Sequence, residues 1–331
     1  PRLDQLLHIG PTTLRDLLAE RLDRLGPARG TAQAAAVIGQ EFDVRLLEAI
    51  TRRPEHVQQD IVQLVDAQIL VWRGAERPTT YAFRHALIQE AAYQSLLKSQ
   101  RRKHHRQLAE TLERGVLPEL GDREPERIAQ HYAAAGVVDR AIECWHQSGI
   151  RAAQRSANIE AIRQLSEALT LVRQQPGSPA RSDTELSLLI ALGPTLQATG
   201  GWGALKVREV FAKALQLARE TGRAAEIYPA LWGRWLIAHA SGEAALAREL
   251  LAQLSEIALE LANPDLLLQL DHAAGSTHCT DGEFSRAIDH ARACRASYDL
   301  DSHRHQAMRY GGHDPCVCMN CVGALAQFIV G

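Results

Sequence analysis

The chain has 331 residues, room for two or three domains at roughly 100–200 residues each. Hydrophobic residues make up 46% and the formal net charge is −2. The composition therefore supports packed cores and excludes a global field that would draw the chain to nucleic acid or a membrane. No run of about 18 apolar residues is present to span a bilayer. The opening, Pro1-Arg2-Leu3-Asp4, lacks the apolar stretch of a secretion signal. A cytoplasmic protein with no membrane partner is expected. The six cysteines then read as free thiols in a reducing compartment rather than a disulfide framework. Pro1 in place of Met, and the apolar helical pattern of residues 324–331, lead us to expect further sequence on both sides.

Residues 13–25 place Leu14, Leu17, Leu18, Leu22 and Leu25 at helical spacing, and Gly26-Pro27 stops that helix. Residues 28–38 are alanine-rich and end at Gly39. Asp43 is placed to cap a short helix through Ile50. Pro54 opens another, with Val57, Ile61, Leu64 and Val65 on one face. Residues 69–73 and 79–83 read as two short strands joined by a turn. Three helices followed by a two-stranded wing is the order of a winged-helix domain. Two more helices follow, at about 85–97 and 101–117.

From about 124 the pattern is helix after helix: 139–153, 157–173, 183–198, 204–221, 225–240, 243–261, 264–279 and 283–297. Pro176-Gly177-Ser178-Pro179 interrupts it and suggests a linker at 175–182. His239-Ala240-Ser241-Gly242-Glu243-Ala244 recurs as Cys279-Thr280-Asp281-Gly282-Glu283-Phe284, an offset of 40 residues. Glycine makes the tight turn and the following alanines let the next helix approach. Ala135-Gly136-Val137-Val138 has a similar small-residue turn. The spacing is looser than the 34 residues of an ideal tetratricopeptide repeat. The fold expected is mainly α: a hinge at 1–12, a winged-helix-like domain with trailing helices at 13–118, and a tetratricopeptide-like array at 124–331.

Several runs resemble one family. They are Ala19-Glu20-Arg21-Leu22-Asp23-Arg24-Leu25, Ala36-Val37-Ile38-Gly39-Gln40-Glu41-Phe42, Ile128-Ala129-Gln130-His131-Tyr132 and Tyr310-Gly311-Gly312-His313-Asp314-Pro315. The most specific is Tyr81-Ala82-Phe83-Arg84-His85-Ala86-Leu87-Ile88-Gln89-Glu90-Ala91-Ala92-Tyr93. Together they resemble the region after the ATPase domain in bacterial adenylate/guanylate cyclase-like signal-transduction ATPases. The resemblance implies an ATPase core upstream in the same chain, often a class III cyclase domain before it, and ATP/ADP as ligand of the parent protein. It also implies that His85, at the strand–helix junction, contacts the β-phosphate of bound ADP. On the residues alone, His85 reads first as a capping or partly buried histidine that orders this corner, and the resemblance sets the ADP contact level with that reading.

The chain itself is expected to be non-catalytic and to need no cofactor. Its four lysines, Lys98, Lys103, Lys206 and Lys213, all follow residues other than glycine, so there is no P-loop. His-Glu-x-x-His and Gly-x-Ser-x-Gly are also absent. Residues 55–68, the would-be reading helix, contain no Arg or Lys but carry Glu55, Asp60 and Asp66, so nucleic acid is not an expected partner. Lys98, Arg101, Arg102, Lys103, His104, His105 and Arg106 cannot share one helix face. They read as a solvated helix start with ion pairs to Glu110 and Glu113, or as a docking surface for an acidic partner or phosphate. His313, Cys316, Cys318 and Cys321 offer four soft ligands, but the spacing is tight for a tetrahedral site and no metal is expected. Trp145, Trp202, Trp232 and Trp235 read as core. The concave side of the array is the natural surface for a protein or peptide. The leading function is thus a regulatory and interaction region of a signalling ATPase. The alternatives are a stand-alone repeat adaptor and the activation region of a large transcriptional regulator.

Overall fold

A computed structural model describes residues 14–73, 79–115, 125–201, 204–303, 306, 309–311 and 314–331. The expected hinge at 1–12, the 74–78 turn, Trp202 and His313 lie outside them. Among the described residues the chain is mainly helical, with 17 helices and one three-stranded sheet. It divides into two compact units, Pro1–Cys144 and Trp145–Gly331. The division therefore falls about twenty residues beyond the 118–124 boundary read from the sequence.

The first unit runs α1 (Leu14–Asp23), α2 (Ala28–Ile38), β1 (Glu41–Asp43), α3 (Val44–Ile50) and, after a 3-10 turn at Pro54–His56, α4 (Val57–Asp66). Then come β2 (Leu70–Trp72), β3 (Thr80–Phe83), α5 (Ala86–Gln94), α6 (Lys98–Glu113) and α7 (Pro125–Ala135). Asp43 caps α3 as its position predicts, accepting from the Arg45 N–H at 2.8 Å. The sheet departs from expectation, because the two strands are joined by a third. The order is β1-β3-β2, both pairings antiparallel, with Phe42 opposite Tyr81 and Val71 opposite Ala82. The buried rings of Phe42 and Phe83 lie 6.1 Å apart and tie the sheet to the core. That core is built mainly from Leu22, Leu46, Ile50, Ile61, Leu64 and Leu108.

Helix α6 starts at Lys98, three residues before the 101 read from the sequence. The Gln100 side chain accepts from the Leu97 N–H at 3.2 Å and satisfies a donor that would otherwise be orphaned. α7 packs on α6, and α2 packs on α4, α5 and α6.

Helix α8 (Val138–Gln154) runs across the division. The second unit continues with α9 (Asn158–Gln174), α10 (Pro179–Gly200), α11 (Leu205–Glu220), α12 (Ala224–Ala240), α13 (Ala244–Leu261), α14 (Pro264–Thr280), α15 (Phe284–Ser297), the short α16 (Leu300–His303) and α17 (Pro315–Val330). From α9 to α15 each helix packs on the next. α10 also packs on α12, and α12 on α14. This is the contact pattern of a helical-repeat array.

The linker expected at 175–182 is shorter than that. Pro179 is the first residue of α10, and Ser178 caps it by accepting from the Arg181 N–H at 3.1 Å. The proline that signals a break is here a helix start.

The turns of the array share one geometry. Gly222, Gly242 and Gly282 have φ of +67°, +73° and +81°. Each is followed by a residue whose N–H reaches back five positions: Arg223 to Ala218, Glu243 to Ala238 and Glu283 to His278. This left-handed C-cap closes the helix and reverses the chain. A second 40-residue relation becomes visible only in the fold. Arg208 on α11 donates to Ser241 at 2.8 Å and Glu243 at 2.7 Å, and Arg248 on α13 donates to Asp281 at 2.9 Å. Each arginine fastens its helix to the turn after the next helix. Helices also approach closely at Phe211. A Cβ on Gly193 of α10 or on Gly233 of α12 would come within 2.5 Å of the Phe211 ring. Only glycine on both neighbours lets this ring sit between them.

Candidate functional site

His85 sits at the N-cap of α5, directly after β3, with extended backbone (φ −142°, ψ 143°). Its carbonyl accepts from the Ile88 N–H at 3.0 Å, while its side chain makes no capping hydrogen bond. The imidazole is exposed, as are Ala86 and Leu87 beside it. The backbone therefore orders the corner and the ring is left directed to solvent at a helix N-terminus. That position favours an anionic oxygen.

The basic run at 98–106 divides as helical geometry requires. Arg101 lies 5.2 Å from the Tyr93 ring centroid, and Arg106 pairs with Glu110 at 2.9 Å. Glu113 is not a partner of the run. It accepts from the Tyr132 hydroxyl at 2.5 Å and pairs with Arg140. His105 is buried: Tyr93 Oη lies 3.0 Å from its Nε2, and its Nδ1 lies 3.0 Å from Nδ1 of His131. Burial pushes His105 down to about 4, with His104 and Arg101 adding to the effect, and His131 down to about 3, with His105 and Arg127 adding to it. Helix α4 turns Val57, Asp60, Ile61 and Leu64 inward. Asp60 thus does not belong to the acidic outer face read from the sequence. It is 6% exposed and accepts from the Thr31 hydroxyl at 2.5 Å. The outer face of α4 carries no cation.

Of the four tryptophans expected in the core, Trp145, Trp232 and Trp235 are buried, and Trp202 lies outside the described residues. Trp232 and Trp235 are fully buried, their ring centroids 5.4 Å apart, and Trp235 donates to Thr277 Oγ1 at 3.1 Å. Pro229 inside α12 cannot donate to the Ala225 carbonyl four residues back. Arg309 reaches that carbonyl at 3.4 Å and Glu226 at 3.0 Å. A groove of about 330 Å³ lies across α9, α10 and α11, with Arg173, Lys206 and Lys213 and one carboxylate, Glu209, along its walls. No sequence pattern marks it, because its cations come from helices more than thirty residues apart.

Cys316, Cys318 and Cys321 all lie on α17. Successive positions on a helix are 100° apart, so Cys316 and Cys318 diverge by about 200° and cannot converge on one ion. Among the described residues no group of three or more His, Cys, Asp or Glu side chains is placed to hold a metal. Asp314 starts α17 as its N-cap, accepting from the Val317 N–H at 3.0 Å. The six cysteines are free, and burial raises the Cys294 thiol to about 12. No described helix is long and apolar enough to cross a membrane.

No protein-family model matches the chain. An uncharacterized protein of Rhizobium meliloti (strain 1021) is 30% identical over 332 aligned positions, which take in 97% of this chain and 31% of that protein. The chain thus spans about a third of the length of the curated relative it matches. Among solved structures it superposes on a signal transduction ATPase with numerous domains from Pyrococcus horikoshii that carries a tetratricopeptide repeat sensor. The TM-score is 0.41 at 10% identity, over 97% of this chain and 50% of the other.

Proposed function

We propose that this chain is a non-catalytic regulatory and protein-interaction region of a signalling ATPase. In this reading the first unit is a winged-helix domain. The order α2, β1, α3, α4, β2, β3 alternates helix, strand, two helices and a two-stranded wing. The second unit is a tetratricopeptide-like array that receives a protein or peptide. The observation that carries the proposal is His85. It stands exposed at a helix N-terminus at the strand–helix corner, in the run that most specifically resembles cyclase-like signalling ATPases. An upstream ATPase core in the same chain would bring bound ADP to that corner. The imidazole would hold the ADP-bound state, and loading of ATP would release it. Partner binding on the array would bias the same two states. The chain's own chemistry would be contact only.

The test uses the full-length protein. His85→Ala is expected to weaken ADP retention and raise basal output, with α5 intact by circular dichroism. Unchanged ADP affinity in that variant removes the switch. Charge reversal of the α9–α11 groove, Lys206→Glu with Lys213→Glu, is expected to abolish the response to partner while sparing ADP retention.

A further inference from the structure

The first unit holds a second cationic feature that the proposed switch does not use. A cavity of about 210 Å³ opens between α2, the α3–α4 connection and α6. Arg52 and Arg53 enter it from the connection, Lys103 and His104 from α6, and Thr31 and Asp60 from α2 and α4. The two basic pairs are about fifty residues apart in sequence and are brought together only by the packing of α3 on α6.

Three fixed positive charges share this cavity, and none of Arg52, Arg53 and Lys103 has an ion-pair partner among the described residues. Arginines elsewhere, such as Arg106, Arg140, Arg223 and Arg248, lie against carboxylates. The one carboxylate present, Asp60, is buried and already accepts from Thr31. It sets one negative charge against three positive ones. His104 donates to the Ile50 carbonyl, capping the end of α3, and its Nδ1 is buried without a partner. Arg52 and Lys103 both act on that ring, so their charges converge there. Like charges gathered in a recess repel, and an anion between them relieves the repulsion.

We propose that this cavity is a binding site for a phosphate group. Two guanidinium forks suit the tetrahedral arrangement of phosphate oxygens, with Lys103 as a point charge. The cavity is smaller than the 300–1,000 Å³ typical of sites for drug-sized molecules. It fits inorganic phosphate, or the terminal phosphate of a larger molecule whose remainder stays outside. Occupancy would tie the α3–α4 connection to α6.

The experiment is isothermal titration of the 331-residue chain at constant ionic strength, with inorganic phosphate in one arm and ADP in the other. Phosphate is expected to bind at one site. Arg52→Ala with Arg53→Ala, and separately Lys103→Ala, are expected to weaken it at least about tenfold. All three residues are exposed, so these variants keep the fold, and circular dichroism checks this. Arg106→Ala, a cation of the same helix that pairs with Glu110 and does not line the cavity, is expected to leave the phosphate affinity unchanged. Tighter binding of ADP with the same arginine dependence assigns the phosphate to a carrier molecule, and binding of phosphate alone assigns the free ion. Absence of binding in both arms overturns the proposal, as does binding that survives loss of Arg52, Arg53 and Lys103.

Discussion

Ser156 closes α8 with φ +59° and the hydrogen bonds that glycine supports elsewhere: its own N–H to Ala153 and the Ala157 N–H to Ala152. For an L-residue with a side chain the left-handed region costs about 1–2 kcal/mol. Ser156→Gly removes this strain but frees the unfolded backbone. The expected net gain is about 1 kcal/mol, read as a higher urea midpoint at unchanged slope. Gly242→Ala, which imposes that strain, is expected to shift the midpoint the other way. Such turns were legible where glycine marks them. At Ser156 the break between helices read at 139–153 and 157–173 was legible, but the left-handed conformation of the polar residue that makes it was not.

The pairing of α6 with α7 rests partly on the buried chain Tyr93–His105–His131. If Tyr93 donates to Nε2 of His105, then His105 Nδ1 donates to His131 Nδ1, and both rings must be neutral. His104, Arg101 and Arg127 also bear on these rings and oppose added positive charge. Both folded values, about 4 and about 3, lie below the ordinary 6.5. Between those limits the unfolded chain binds more protons than the folded one. The pair's contribution is therefore complete above pH 6.5 and is lost as pH falls from there through about 4 to 3. Urea midpoints between pH 7 and 5, where carboxylates stay ionised, are expected to fall. His131→Phe is expected to flatten that slope. Helix patterns and the Asp43 cap were readable because they are local. Strand β1 was not, since three residues show no alternation and its identity comes from pairing with Thr80–Ala82, forty residues on. Of the basic run, the sequence required that the side chains diverge. It could not say that His105 would meet His131, or that Lys103 and Arg52 would line one cavity.

Across the second unit each helix packs mainly on its sequence neighbours, with α17 lying against α14 and α15, so a disturbance should weaken along the array. Gly233→Val places a branched side chain against the Phe211 ring and is expected to raise hydrogen exchange most in α10, α11 and α12. The increase should fade through α14 and leave α17 near its original protection. A uniform rise over the whole unit would show that the array behaves as one cooperative block. At this scale the array was legible through the Gly-Glu turns, whereas its cationic groove was not. A groove between stacked helices is made by surfaces that no single helix period reveals.

The arginine staples give the forty-residue unit a modular arithmetic. Excising residues 224–263 would remove forty positions and bring Asp281 and Glu283 to the places that Ser241 and Glu243 held relative to Arg208. The arginine would still find an acceptor, and the αL glycine would still close the helix before it. Shortening or lengthening by any other number would leave the guanidinium facing the wrong turn. Residue 273, which would take the place of Gly233 against the Phe211 ring, is alanine, so the step keeps the staple and the turn but also needs Ala273→Gly. With that one change the array could lose length in a whole step, a route by which its reach could change while the first unit stays as it is.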